Sequence, residues 1–89
     1  MVTLFVRHPV EDYATWRKGY DAFDRERTDF GVLSHSVFQS VDDPNDVSAT
    51  HDFATIEEAR AFVDNPRLKE VMEAAGVAGP PEIWFTTRI

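Results

Sequence analysis

The chain contains no cysteine, little positive charge and no long apolar run. Without cysteine it has neither a disulfide framework nor thiolate chemistry, which is typical of a cytoplasmic protein. Its 16 acidic residues outnumber 9 basic ones. Because phosphate binding needs a clustered basic face, we expect no nucleic-acid partner. No apolar segment approaches the roughly 20 residues that cross a bilayer, and we find no secretory signal, so we expect no membrane partner.

The composition indicates one small globular domain. The chain has 89 residues, and 43% of them are hydrophobic. This length lies near the lower end of what folds around a single core. We find no repeat, linker or low-complexity tract. We therefore expect residues 1–89 to form a single domain.

Four segments have the composition of β-strands, because they are rich in β-branched and aromatic residues and are bounded by turn residues. They comprise residues 2–7, 33–41, 47–53 and 82–89. The second and third are joined by an acidic turn containing Pro44 and Asn45.

Two helical regions separate these strands. The first is predicted to begin after an N-cap at Asp12 and to end at Gly31, with a solvent-facing ion pair between Asp21 and Arg25. In the second, Thr55 and Glu58 form a capping box. An Asn-Pro pair at residues 65–66 then interrupts the helix, and a further helical segment is expected over residues 67–75.

The order of these elements, βαββαβ, predicts an α+β, ferredoxin-like fold. In that topology the four-stranded antiparallel sheet has the strand order 4-1-3-2, and the helices cover one face only. Alternation along the strands places one apolar set under the helices. In the first strand this set is Val2, Leu4 and Val6.

The opposite face of the sheet contains large apolar side chains, namely Phe5, Phe38 and Trp84, together with Arg88. Burying each large apolar side chain is worth about 1.5–3 kcal/mol. A partner sheet would remove these side chains from water. The sequence therefore predicts a homodimer packed sheet on sheet, with these four residues at the interface.

Five motifs resemble those of the dimeric α/β-barrel superfamily, specifically the small proteins similar to antibiotic biosynthesis monooxygenases. They are Val6-Arg7-His8, Asp12-Tyr13-x-x-Trp16, Asp42-Asp43-Pro44-Asn45, Glu58-Ala59-Arg60-Ala61-Phe62 and Gly79-Pro80-Pro81-Glu82-Ile83-Trp84. The resemblance implies a homodimer that closes into an α/β barrel. It also implies an activity within a range that includes cofactor-free oxygenases of polycyclic phenols, haem-degrading enzymes, dehydratases and isomerases. Many small members have no assigned activity.

The resemblance does not extend to the haem-degrading members, because no asparagine stands on the first helix. We therefore expect no haem and no other cofactor.

His8 is the predicted catalytic residue. It shares the parity of Leu4 and Val6, so it should lie under the first helix near Tyr13 and Trp16. A neutral imidazole, with a reference pKa of about 6.5, can take a proton from a phenol or an enolisable ketone. The alternative is a strand-end histidine that forms a hydrogen bond with the backbone.

Aromatic residues recur at helical spacing along the first helix and predict either a ligand-binding wall or plain core. We assign seven residues to substrate binding: Tyr13, Trp16, Tyr20, Phe23, His35, His51 and Met72.

His35 and His51 fall on neighbouring strands, where closure of the hairpin with Val41 opposite Val47 would make them diagonal neighbours. His8 would lie at the far end of the sheet, and Asp52 points to the other face. We therefore expect no metal site.

These observations lead to two hypotheses. In the first, the protein binds a hydrophobic, aromatic or polyketide-like small molecule and acts as a cofactor-independent monooxygenase or as a cyclase/isomerase. In the second, it is a non-catalytic ligand-binding or interaction module of the same fold. Whether it is an enzyme stays open at this point.

Overall fold

The computed structural model describes residues 1–89. Its four strands form one antiparallel sheet of order β2-β3-β1-β4, which confirms the ferredoxin-like fold class and strand order. None of its helices is long and apolar enough to cross a membrane. The elements are β1 Val2–Pro9, α1 Tyr13–Ala22, α2 Asp24–Asp29, β2 Ser34–Gln39, β3 Asp46–Phe53, α3 Ile56–Asp64, α4 Pro66–Ala74 and β4 Glu82–Thr87.

The expectation of one continuous first helix was wrong, because the chain breaks at Phe23. This residue has a ψ of 0°, ends α1 and precedes α2. The break keeps its side chain in the core, where it is 4% exposed. It also removes Arg25 from the helical register of α1. Asp21 therefore pairs with Arg17 at 2.9 Å, and the pair expected with Arg25 is absent.

The helix starts agree with the sequence. The Asp12 carboxylate accepts from the Thr15 amide at 2.9 Å, and the Thr55 hydroxyl accepts from the amide of Glu58 at 3.2 Å. Asn65 ends α3 in an extended conformation, and its side chain caps α4. These caps satisfy amides that a helix leaves unpaired at its start.

The helix-facing side of the sheet forms the core. In β3 every second residue is buried, ending with Phe53. The register pairs Leu4 with His51 and His8 with Val47, so the alternate residues of β1 lie on the same face. This confirms the predicted parity of β1. Ile89, which has the parity of the core set in the last strand, lies beyond β4 and is exposed.

Large apolar side chains remain on the opposite face. The rings of Phe5 and Trp84 stack with centroids 5.4 Å apart. Trp84 is still 45% exposed, and Phe38 is 56% exposed. Arg88 follows β4 and is exposed as well. Three of the four predicted interface residues thus lie on strands of this face, and the fourth adjoins it.

Gly19 allows α1 to approach the end of α4 closely. A Cβ atom at position 19 would lie 2.8 Å from the Cβ of Ala75.

Gly19→Ala should therefore lower the free energy of unfolding by about 1–2 kcal/mol, although alanine favours an isolated helix by roughly 1 kcal/mol. Chemical denaturation measures this change. In an Ala75→Gly background the cost should shrink, and equal costs in both backgrounds would contradict the contact.

Candidate functional site

A cavity lies between the helices and the sheet. Its volume is about 60 Å³, and 13 of its 16 lining residues are hydrophobic. Three polar side chains border it: His8, Arg27 and His51. Each is at most 5% exposed, and each has a buried nitrogen without a hydrogen-bond partner. Native proteins seldom leave buried polar atoms unpaired, so these three mark a candidate site.

The cavity brings together most of the residues assigned from the sequence. Those that line it are His8, Trp16, Tyr20, Phe23, His51 and Met72. Tyr13 and His35 do not line it. The Tyr13 hydroxyl accepts a hydrogen bond from Arg17 at 3.3 Å, whereas His35 lies behind Tyr20 and contacts its hydroxyl at 2.7 Å.

His8 is at the end of the cavity next to α1. Its ring lies 5.6 Å from that of Trp16, edge to face. Its Nδ1 atom is buried and has no partner, so the hydrogen bond expected of a purely structural histidine is missing at this nitrogen. Burial lowers the pKa of His8, because the charged imidazolium loses its hydration. The neutral ring is therefore the form present at neutral pH, as a proton acceptor requires.

His35 and His51 face each other directly across β2 and β3. The diagonal arrangement expected from the sequence was wrong, because the hairpin register pairs Gln39 with Val47. The two rings stack at 6.1 Å. Burial, with the charges of Arg27 and His35 as smaller causes, lowers the pKa of His51 to about 3. No group of three or more His, Asp or Glu side chains is placed to hold a metal ion.

Arg27 is a candidate site residue that the sequence analysis missed. Its Nη2 atom donates to the Tyr20 carbonyl at 2.6 Å, and its guanidinium carbon lies 3.8 Å from the centre of the Tyr20 ring. The nearest carboxylate, Asp24, is 3.5 Å away and largely exposed. A buried cation with so little compensation favours an anionic group in the cavity.

The position of Arg27 carried a signal for its burial. Arg27 continues the aromatic face of Tyr20 and Phe23 at helical spacing. Its charged neighbours made this stretch resemble a solvated surface helix instead.

A larger groove adjoins the cavity on the α4 side. Its volume is about 540 Å³, and it extends along α4 to the loop of residues 77–81. Four side chains border both spaces: Val63, Leu68, Met72 and Ile83. Drug-sized ligands occupy pockets of about 300–1,000 Å³, so a fused-ring molecule that reaches the cavity must extend into the groove. No residue of α4 is buried, and elements with few buried contacts open at a lower free-energy cost than the core.

The low pKa of His51 links stability to pH. Between about pH 7 and pH 5 the unfolded chain binds a proton at this imidazole, because its ordinary pKa is 6.5, whereas the folded protein does not. Stability should therefore fall as the pH falls, by on the order of 2 kcal/mol from this group. The buried His8 acts in the same direction. Denaturation at several pH values measures the slope, and His51→Leu should flatten it. An unchanged slope in that variant would contradict the assignment.

No protein-family model and no curated protein matches the chain. Several solved structures do match. A candidate antibiotic biosynthesis monooxygenase from Bordetella bronchiseptica has a TM-score of 0.85 at 14% identity, over 99% of this chain and 96% of that one. SnoaB, a cofactor-independent oxygenase from Streptomyces nogalater, has a TM-score of 0.80 at 16% identity, over 99% and 92% of the two chains.

A third structure is a monooxygenase from the gene ActVA-Orf6 of Streptomyces coelicolor, in complex with nanaomycin D. Its TM-score is 0.72 at 26% identity, over 99% of this chain and 87% of that one. These similarities confirm the resemblance that the motifs indicate. The chain has the ferredoxin-like fold shared by the antibiotic biosynthesis monooxygenase-like proteins.

Proposed function

We propose that this protein binds a hydrophobic, aromatic or polyketide-like small molecule and oxygenates it without a cofactor. The observation that carries the proposal is the apolar cavity bordered by the neutral imidazole of His8 and the buried cation of Arg27. An apolar wall selects the ring system, the imidazole accepts a proton, and the guanidinium stabilises the resulting anion. The structural similarity to SnoaB, a cofactor-independent oxygenase, supports the same class of reaction.

The ligand occupies the cavity together with the neighbouring groove. The cavity of about 60 Å³ holds only a few water molecules as it stands. Met72 and Leu68 separate it from the groove and lie on α4. Methionine is unbranched and adapts its shape readily. Entry of a fused-ring ligand therefore displaces these two side chains outward.

The proposed reaction converts a phenol such as 1-naphthol, with one dioxygen, to a quinone and one water. Ionisation of the hydroxyl makes the ring carbon opposite it electron-rich, and a C–O bond forms there to dioxygen. The distal oxygen of this peroxide takes up a proton. His8 then takes the C–H proton from the same carbon as the O–O bond breaks, and the departing hydroxide takes that proton to become water. Trp16 contacts His8 and forms the wall beside the ring.

Two other activities remain as candidates for the same site. A cyclase or isomerase would begin with the same loss of a proton but would consume no dioxygen. A non-catalytic binding or interaction module is favoured by the small volume of the closed cavity. Oxygen uptake separates the first from oxygenation, and ligand binding without turnover identifies the second.

We also propose that the protein is a homodimer that associates through the helix-free face of the sheet and closes into an α/β barrel. The stacked Phe5–Trp84 pair and Phe38 lie on this face. A depression lined by Phe38, Trp84 and the Arg7–Asp46 ion pair lies on the same side. A second copy would supply the apolar surface that these side chains lack.

Oxygen uptake tests the proposed reaction. Metal-free protein should consume dioxygen with at least one member of a panel of anthrone- and naphthol-type phenols. His8→Ala should lower kcat by about 100-fold or more, because general-base catalysis typically contributes 10²–10⁴-fold.

Lys18→Ala is the matched control, since Lys18 is exposed on α1 and forms no ion pair. Thermal unfolding shows whether each variant is folded. If the wild-type protein consumes no dioxygen with any phenol of the panel, and no phenol raises its melting temperature, the interaction module would be favoured. Equal rates in His8→Ala and wild type would remove His8 as the base.

The dimer is tested by light scattering coupled to gel filtration. Wild-type protein should have about twice the monomer mass of 10.1 kDa. Trp84→Glu should shift the population to the monomer, because it places a charge in the apolar contact. Val41→Glu is the control, since Val41 is fully exposed beyond the end of β2. A monomeric wild-type protein, or a Trp84→Glu dimer, would contradict the proposed interface.

A further inference from the structure

Three side chains form a hydrogen-bonded series from the cavity to the solvent. The Tyr20 hydroxyl lies 2.7 Å from Nδ1 of His35, and Nε2 of His35 lies 3.0 Å from the Asp24 carboxylate. Tyr20 is 8% exposed and lines the cavity. The side chains of His35 and Asp24 are 30% and 63% exposed. The series therefore starts inside and ends at the surface.

The chemistry of the groups sets the direction of each hydrogen bond. An ionised carboxylate only accepts, so Nε2 of His35 must carry the hydrogen and donate it to Asp24. A neutral imidazole then has a lone pair on Nδ1. The Tyr20 hydroxyl must donate to that lone pair. Its oxygen consequently has only acceptor lone pairs left for a further partner.

We propose that Tyr20, His35 and Asp24 form a relay that removes the hydroxyl proton of a phenolic ligand bound in the cavity. As the ligand O–H bond breaks, its proton passes to the Tyr20 oxygen, while the hydrogen of Tyr20 passes to Nδ1 of His35. The imidazolium formed is stabilised by Asp24, and the ligand becomes a phenolate. The imidazolium of His35 then loses one proton to solvent on its exposed side, and the peroxide at the opposite ring carbon takes up one proton from water, so that no net proton is gained or lost. Tyr20 is a catalytic residue in this step, and His35 and Asp24 are positioning residues.

Arg27 supports the anion that this transfer leaves on the ligand. Its guanidinium lies 3.8 Å from the centre of the Tyr20 ring and also borders the cavity. It therefore stabilises the negative charge that the transfer leaves on the ligand. Burial raises the pKa of Tyr20, and Arg27 opposes that effect.

The relay and His8 act at different positions of the ligand. Trp16 contacts both rings, at 5.6 Å from His8 and 5.0 Å from Tyr20. Oxygenation of a phenol to a quinone removes two hydrogens, one from oxygen and one from carbon. His8 lacks an orienting partner at Nδ1. Tyr20, in contrast, is oriented by His35, and His35 is oriented by Asp24. A base oriented by a third group is the usual arrangement of an activated acceptor.

The hydrogen-bond arrangement is tested first, and without any ligand. The nitrogen chemical shifts of the His35 imidazole, measured by NMR, should show hydrogen on Nε2. Asp24→Asn should change this tautomer distribution. Asp29→Asn, on the same helix and exposed, should leave it unchanged. Hydrogen on Nδ1 in the wild-type protein would overturn the relay.

The transfer itself rests on the proposed function and is tested with 1-naphthol as the probe. The absorbance spectrum of bound 1-naphthol should be that of naphtholate at neutral pH in the wild-type protein. It should be that of neutral naphthol in Tyr20→Phe and in His35→Ala. Added imidazole should restore naphtholate in His35→Ala, because the site is partly exposed, whereas pyrrole, which lacks an acceptor nitrogen, should not.

The outcomes separate the two proposals. If 1-naphthol and the other phenols fail to bind wild-type protein, the proposed function fails while the NMR result still decides the relay's arrangement. If 1-naphthol binds as neutral naphthol in the wild type, the relay is wrong and phenol binding stands. Naphtholate that persists in Tyr20→Phe also overturns the relay.

Discussion

The break in the helix at Phe23 is the constraint on which the candidate site depends. Where α1 ends, the Tyr20 carbonyl accepts the Phe23 amide at 3.2 Å and the Arg27 side chain at 2.6 Å. The same break starts α2 at Asp24, which brings this carboxylate to His35 on the sheet edge. A continuous helix would carry Asp24 and Arg27 along the direction of α1 and away from these partners. The positions of Asp24 and Arg27 thus depend on one non-helical residue, whereas strands place His8 and His51.

The fold was predictable because it depends on patterns of short range. The apolar period of two along β1 and β3, the caps at Asp12 and Thr55, and the proline at residue 66 all agree with one topology. His8 could be placed for the same reason, since strand parity alone puts it on the face of Leu4. The sequence could also place Trp16 and Tyr20 on one helix face, which is the face that borders the cavity.

The rest of the site depends on tertiary contacts, which composition and spacing do not report. Arg27 is 2% exposed, but it lies in a run of charged residues that obscured the one local signal for its burial, its helical spacing from Tyr20 and Phe23. The expected register of the hairpin differed by two residues from the observed one. His35 was therefore expected diagonal to His51, whereas it lies directly opposite. Tyr13 shares the aromatic face of Trp16 but falls at the start of α1, beyond the cavity. Each error concerns a burial, a register or a position that only tertiary packing determines.

The two faces of the sheet carry the two proposals for this small protein, ligand chemistry on one and association on the other. Adjacent residues of β1 point in opposite directions, so His8 enters the cavity region while Arg7 pairs with Asp46 on the outer face. The proposed chemistry on the helix side and the proposed association on the other side therefore depend on different side chains. The link between them is the sheet itself, whose central strands supply both. A change in strand register would move every one of these side chains to the wrong face at once, which makes register the feature that sequence change must preserve.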